Sequence, residues 1–445
     1  MFRPVTCIFV SSVFVLGLGG AQAQDVEPKT TLFANVNVFD GASETLIENA
    51  NVVVTGNMIT AVSTEPLAVA GGTVIDGGGR TLMPGFIDMH VHLSLQVNYA
   101  ELSGLDSYYF AFTQAREAER MLLRGFTTAR DVGGNVFSLK RVIDEGMFPG
   151  PRIYPSGAAI SQTGGHGDYR LPNAPSRLLV NEPGPAIREG IGALADGPAQ
   201  MLVAVRENLR RGASQIKLTV GGGVASPADP LDVLQFTPEE IRAAVQAANN
   251  WNTYVAAHVY NPDGIRQAVE NGIMSIEHAN FIDAETFDLI EEKGAWLSVQ
   301  AMVFVNTPTS VSDEVKARFA EALTGIDQMF KLINERGFKR VAFGTDVIAD
   351  PDLMARQNEE FTLRARWFEP AEVMRQATSG NAELLALSGP RNPYPGKLGV
   401  IEEGAYADIL LINGNPLEDI SVLTNPDENL ALIMKDGVIY KNTLN

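Results

Sequence analysis

At 445 residues, 45% of them hydrophobic and 20% charged, the chain can bury a large core, which excludes a disordered or fibrous protein and fits one α/β barrel plus a smaller domain. A formal charge of −19 at pH 7 disfavours nucleic acid and anionic membrane surfaces as partners. The single cysteine, Cys7, falls in the first segment, so thiol and disulfide chemistry are excluded once that segment is removed.

Residues 1–23 carry Arg3, an apolar run Cys7–Leu18 and then Ala21-Gln22-Ala23. This is the pattern of a secretory signal cleaved after Ala23, too short for a comfortable membrane span, and it predicts export to the periplasm or beyond. Residues 24–83 are strand-rich: Thr31–Phe39, Ala50–Val54, Met58–Val62 and Thr73–Ile75 are β-branched runs separated by Gly-containing turns. The same texture returns only in residues 398–445, at Ala407–Gly414 and Leu430–Tyr440. Both ends are therefore expected to form one small β-sandwich domain around a central insertion, residues 84–397.

Within the insertion strand-like and helix-like stretches alternate. The predicted strands are Gly85–His92, Thr127–Val132, Arg152–Ser156, Gln215–Val220, Tyr254–Tyr260, Ser275–Asn280, Trp296–Gln300 and Arg340–Asp346. Helical periods include Phe110–Leu123, Gln200–Arg210, Pro238–Asn250 and Glu372–Leu387. Eight alternations predict a (β/α)8 TIM-like barrel, whose chemistry sits at the C-terminal ends of the strands.

The polar residues fall at those ends. His90 and His92, two apart at the end of the first strand, would share a strand face and form half a metal site. His258, His278 and Asp346 end the fifth, sixth and eighth strands, so four of the five histidines of the chain lie where a barrel presents chemistry. Lys217 lies inside the fourth strand, where an unpaired ammonium is expelled or loses its proton. It needs either a carboxylate partner such as Asp346 or conversion to a carbamate, an anion with two oxygens able to bridge two cations.

Together, Leu82–His92, Lys217, His258, His278, Gly344-Thr345-Asp346 and the exit Gly399–Asp408 resemble the amidohydrolase superfamily across essentially all of the chain after residue 23. Gly164–Asp168, Gly221–Val224, Tyr260 and Ala377–Ala382 are similar to its imidazolonepropionase-like branch, which includes secreted Xaa-Pro dipeptidases, carboxypeptidase-like enzymes and ochratoxin-hydrolysing amidases. The resemblance implies two divalent metal ions, zinc by donor type: His90, His92 and Asp346 on one, His258 and His278 on the other, bridged by a CO2-derived carbamate on Lys217 and by a hydroxide that attacks the substrate. Asp346 would serve as general base and acid. His166 and Tyr260 would hydrogen-bond the substrate carbonyl or the tetrahedral intermediate, their alternatives being loop packing and a barrel-mouth aromatic. Asp131 is expected to orient a neighbour.

Many relatives in this branch carry His-Gly in the loop after the last strand, where this chain reads Leu353–Asn358. Arg170 and Arg356 are candidate anchors for a substrate carboxylate, or else solvated charges. The reading is an exported amidohydrolase cleaving an amide bond to a C-terminal amino acid in dipeptides, N-acyl amino acids or ochratoxin A, with a homo-oligomer implied by the resemblance. The alternatives are a mononuclear deaminase or cyclic-amide hydrolase on the same barrel, and a non-catalytic exported binding protein.

Overall fold

The computed structural model describes residues 28–97, 106–170, 173–179, 184–226, 229–308 and 311–444. The expected leader, residues 1–23, lies outside them. Among the described residues no helix is long and apolar enough to cross a membrane.

The two ends of the chain join in one eight-stranded sheet. Its order is Val438–Asn442, Leu430–Lys435, Ile409–Ile412, Thr81–Pro84, Thr30–Val38, Ile47–Thr55 and Met58–Ser63, with Thr73–Asp76 pairing parallel to Thr30–Val38. The N- and C-terminal parts meet where Ile409–Ile412 runs antiparallel to Thr81–Pro84, with Leu410 opposite Met83. In Ile47–Thr55 the residues Ala50, Val52 and Val54 are buried while Asn51, Val53 and Thr55 are partly exposed, the alternation of a strand with one face on a core. That core includes Phe33, Val52, Ile59, Leu82, Ile409 and Leu432.

Thr81–Pro84 leads directly into the barrel. All eight predicted barrel strands are present, with modest shifts at their ends: Phe86–Val91, Phe126–Asp131, Arg152–Pro155, Ile216–Thr219, Val255–Val259, Ser275–His278, Trp296–Val299 and Val341–Phe343. Every residue in them is buried, as expected for parallel strands covered by helices outside and by side chains within. The first three pair in parallel, as do the fourth through the eighth. Helix starts follow local chemistry: Thr237 and Glu240 form a capping box ahead of Pro238–Asn249, and Ser312 caps Asp313–Glu335 by accepting from the Val315 N–H.

Both junctions that complete the ring depend on side chains. After Pro155 the chain bends at Gly157, whose φ of +73° suits glycine, and resumes as Ala159–Ser161. This unpredicted strand pairs with the fourth barrel strand through Ile160 and Leu218 and with a second unpredicted strand, Gly192–Leu194. Gln215 spans the gap beneath, donating from Nε2 to the Tyr154 carbonyl at 2.9 Å. Between the eighth and first strands, Asn381 accepts from the Phe343 N–H at 2.9 Å and donates to the carbonyls of Phe343 and Ile87 at 2.8 and 2.6 Å. The helix predicted over Glu372–Leu387 is interrupted to place it: Pro370–Arg375 passes through a π-helical turn, Gln376–Gly380, into Asn381–Ala386.

Candidate metal centre and active site

His90 and His92 come from the irregular end of the first strand, whose pairing to the second shifts register between Asp88 and Val91. Asp346 follows the eighth strand with a left-handed φ of +51°, and its N–H donates to the His90 carbonyl at 2.8 Å. Its Oδ1 lies 3.2 Å from His90 Nε2 and 3.3 Å from His92 Nε2. The three side chains could hold a metal ion, their ligand atoms lying within 4.8 Å of one another. His278 also has a positive φ, +78°. Regular strand alternation would turn Glu277 and His278 to opposite faces, yet both reach His90. Glu277 Oε2 is 2.9 Å from His90 Nδ1, and the His278 ring centroid is 5.0 Å from that of His90.

Each of the four imidazoles has one nitrogen on a fixed acceptor. His90 Nδ1 donates to Glu277, His92 Nδ1 to the Gly133 carbonyl at 3.1 Å, His258 Nε2 to the Gly222 carbonyl at 3.1 Å and His278 Nδ1 to Gln300 Oε1 at 2.8 Å. These tautomers are assigned from the partners. They leave a lone pair on His90 Nε2, His92 Nε2, His258 Nδ1 and His278 Nε2. Among the described residues His90 Nε2 is buried with no hydrogen-bond partner, and it converges with His92 Nε2 on a carboxylate oxygen, three groups that can each offer an electron pair to one cation. A divalent cation fits such a set, and acceptors behind each imidazole are the usual means of fixing ligating histidines.

The charges of the cluster are coupled: burial pushes the His90 ring down, but Asp346 and Glu277 outweigh it and the net shift is upward, so a cation there takes the place of a proton. Burial, then neighbouring imidazoles that include His166 for His258 and His90 for His278, hold both rings well below the usual histidine range, so they stay neutral. Burial pushes the Asp346 carboxyl up, but His90, His92 and His278 outweigh it and keep it anionic. Glu277 is likewise buried, and Arg130 at 2.8 Å with His90 behind it holds its carboxyl well below the ordinary value. Lys217 is 3% exposed, and burial pushes its amine down to about 8. Among the described residues the amine has no hydrogen bond and no ion pair, so the pairing with Asp346 allowed by the sequence does not form. Near neutral pH this leaves a larger share of neutral amine, the form that can take up CO2, than an ordinary lysine has.

His166 stacks on His258 with centroids 4.1 Å apart, and its Nδ1 meets Asp229 Oδ2 at 3.2 Å. Tyr260 lies parallel to His278 at 4.8 Å and edge-on to His258 at 5.1 Å. Burial, with Asp346 nearby, pushes its phenol well up, so it remains an O–H donor. Asp131 accepts from the N–H groups of Leu93 at 2.8 Å and Gly133 at 3.2 Å, ordering the chain on either side of His92. Arg170 and Arg356 do not join the cluster with a free guanidinium. Asp168 holds Arg170 from two sides at 2.7 and 2.6 Å, and Glu359 holds the exposed Arg356 at 2.8 and 2.7 Å.

Sequence reasoning missed Glu277, Arg130 and Gln300. Glu277 beside His278 reads as the outward residue of an alternating strand. The one available signal was the charge itself, since a carboxylate and a guanidinium inside apolar strands imply each other. Two surface clefts, of about 570 and 750 Å3, lie in the β domain and on the barrel flank, away from the imidazoles.

A (β/α)8 barrel with four preset imidazoles, a carboxylate and a buried lysine at one end defines a barrel hydrolase with a donor set suited to divalent metal. The chain belongs to the amidohydrolase family, which its residues 81–440 match, and is a hydrolase acting on C–N bonds. It is 31% identical to an ochratoxinase of Aspergillus niger over 93% of this chain and 87% of that protein. It resembles the crystal structure of a prolidase complexed with N-methylphosphonate-L-proline, with TM-score 0.86 and 34% identity over 93% of this chain and all of the other. A Xaa-Pro dipeptidase with methionine bound in its active site superimposes with TM-score 0.81 and 32% identity, over 93% and 100% of the two chains.

Proposed function

We propose that this hydrolase cleaves an amide bond to a C-terminal amino acid, in dipeptides or N-acyl amino acids and also in ochratoxin A, and does so with two divalent metal ions, zinc by donor type. His90, His92 and Asp346 would hold one ion and His258 and His278 the other, with Lys217 as a carbamate joining them. The observation that carries this reading is the preset orientation of the four imidazoles around an anionic Asp346 and an unpaired, buried Lys217. Similarity to ochratoxinase, prolidase and Xaa-Pro dipeptidase supports the substrate class. Export and homo-oligomeric assembly belong to the same proposal.

When bound, the ions would lower the pKa of a water and polarise the scissile carbonyl. Asp346 takes the proton released as water attacks and returns it to the leaving amine. Tyr260, kept protonated by burial, donates its hydroxyl hydrogen toward the carbonyl oxygen as charge develops there. His166, braced by Asp229 through Nδ1, assists at the same oxygen through its other ring nitrogen. The test is metal content per chain of wild type and Lys217→Ala, with hydrolysis of dipeptides and N-acyl amino acids on the same samples. Two zinc ions, falling together with activity in the variant, are expected. A single ion with activity indifferent to Lys217 would move the chain to mononuclear chemistry.

A further inference from the structure

An amide next to a C-terminal amino acid places a carboxylate a few bonds from the reacting carbonyl, and a site selective for it needs a cation with free donors there. Arg170 and Arg356 have theirs closed by Asp168 and Glu359. Arg318 does not. It lies in the second turn of Asp313–Glu335, which follows the loop after the seventh barrel strand, on the end of the barrel where substrates are handled. Its Nη1 donates to the carbonyls of Gly223 and Asp229, each at 3.2 Å. Its Nε and Nη2 are buried and have no hydrogen-bond partner among the described residues. Those two N–H groups form the side-on edge of the guanidinium, whose spacing matches the two oxygens of a carboxylate. No carboxylate among the described residues pairs with it, and a buried unpaired donor is rare enough to require an explanation.

The contacts that fix Nη1 also place the guanidinium beside the site. Gly222 and Gly223 are consecutive: the carbonyl of the first accepts from His258 Nε2 and that of the second from Arg318. One residue of backbone, about 3.8 Å between Cα atoms, therefore separates the anchor of a site imidazole from the anchor of the guanidinium. Gly223 also lies against His166, since a Cβ there would be 2.1 Å from its ring. Asp229, the second carbonyl on Arg318, holds His166 Nδ1 through its side chain. Arg318, His166 and His258 are thus tied to one short loop on one side of the site.

We infer that the open Nε–Nη2 edge of Arg318 binds the C-terminal carboxylate of the substrate. This rests on the activity proposed above and makes it specific: the enzyme reads a free carboxylate on the leaving amino acid and disfavours the same amide in mid-chain or with its carboxylate capped.

The test uses the zinc-loaded full chain, as wild type, Arg318→Met and Arg318→Lys, with N-acetyl-L-phenylalanine and N-acetyl-L-proline each compared with its C-terminal carboxamide. Wild type is expected to favour the acids. Arg318→Met should lose about 10- to 100-fold in kcat/KM on the acids, chiefly through KM, as expected for two charge-assisted hydrogen bonds. The carboxamides should be affected equally little by either variant, and Arg318→Lys should recover part of the preference. A merely structural Arg318, bracing the Gly223 loop, would instead lower kcat for acids and carboxamides alike. That result, or a wild type without acid preference, overturns the inference. If wild type cleaves none of the four, the proposed activity fails, and the anchor is read by calorimetry: N-acetyl-L-phenylalanine binding wild type but not Arg318→Met upholds it, and equal or absent binding refutes it.

Discussion

Glu277→Gln tests whether a buried carboxylate outside the donor set governs the metal centre. Glu277 accepts from His90 Nδ1 at 2.9 Å, from Arg130 at 2.8 and 2.9 Å and from the Ser275 hydroxyl at 2.6 Å, and both it and Arg130 are fully buried. Glutamine keeps the shape, removes the charge and replaces one acceptor with a donor, so either His90 or Arg130 loses its partner. Breaking a buried ion pair from one side costs about 3 to 5 kcal/mol. At about 2.1 cal/mol/K per residue, a chain of 445 residues should melt about 3 to 5 °C lower. Releasing His90 from its acceptor should also weaken metal binding by about 10- to 100-fold. Differential scanning calorimetry of the metal-free protein reads the first effect, and competition against a zinc-binding dye reads the second. A variant that melts lower but binds zinc as tightly as wild type would show that Glu277 serves only the barrel core, and would refute the orienting role.

Two further outcomes follow from the same geometry. Asn381→Ala removes three hydrogen bonds across the seam between the eighth and first strands and leaves backbone groups of Phe343 and Ile87 buried without partners; at about 1 kcal/mol or more for each group, urea unfolding should show a loss of about 3 kcal/mol, and a loss under 1 kcal/mol would mean that the ring closes without it. Burial pushes the Glu372 carboxyl up, but Arg375 and Lys339 outweigh it and the net shift is downward. A depressed folded pKa stabilises above the unfolded value and ceases to do so as pH falls through the folded one. The stability advantage of wild type over Glu372→Gln should therefore be full above about pH 5 and shrink on acidification; an advantage that grows on acidification would contradict the pairing.

The alternation of apolar strands and helical periods was enough to read the barrel, because parallel strands buried on both faces leave continuous runs such as Val255–Val259. The β domain was legible for the opposite reason: a sheet with one face on a core alternates, as Ile47–Thr55 does. The split third strand and the π-turn before Asn381 were not legible. Each arises from a requirement of closure, a gap at Gly157 and a seam at Phe343, that appears only when distant strands meet. Local propensity carries no trace of a partner more than 30 residues away.

A similar boundary runs through the site. The candidate ligands lie on or just beyond strands, where chain order and alternation show which residues reach the barrel mouth. The backbone then departs from alternation at His278 and Asp346, whose positive φ angles turn their side chains into the cluster beside Glu277. This is why Glu277 was overlooked while its neighbour was read. Residues facing substrate lie on loops and helix starts, where charge has no such rule. Arg170, in a Gly-rich loop beside His166, had the better address in sequence, yet Asp168 closes its guanidinium. Arg318, within a run of charged residues on a helix, reads as a solvated face until Gly223 and Asp229 are seen to fix one side of it and leave the other open. The metal side of such a site is therefore set by strand order, and the substrate side by which charges the fold leaves unpaired.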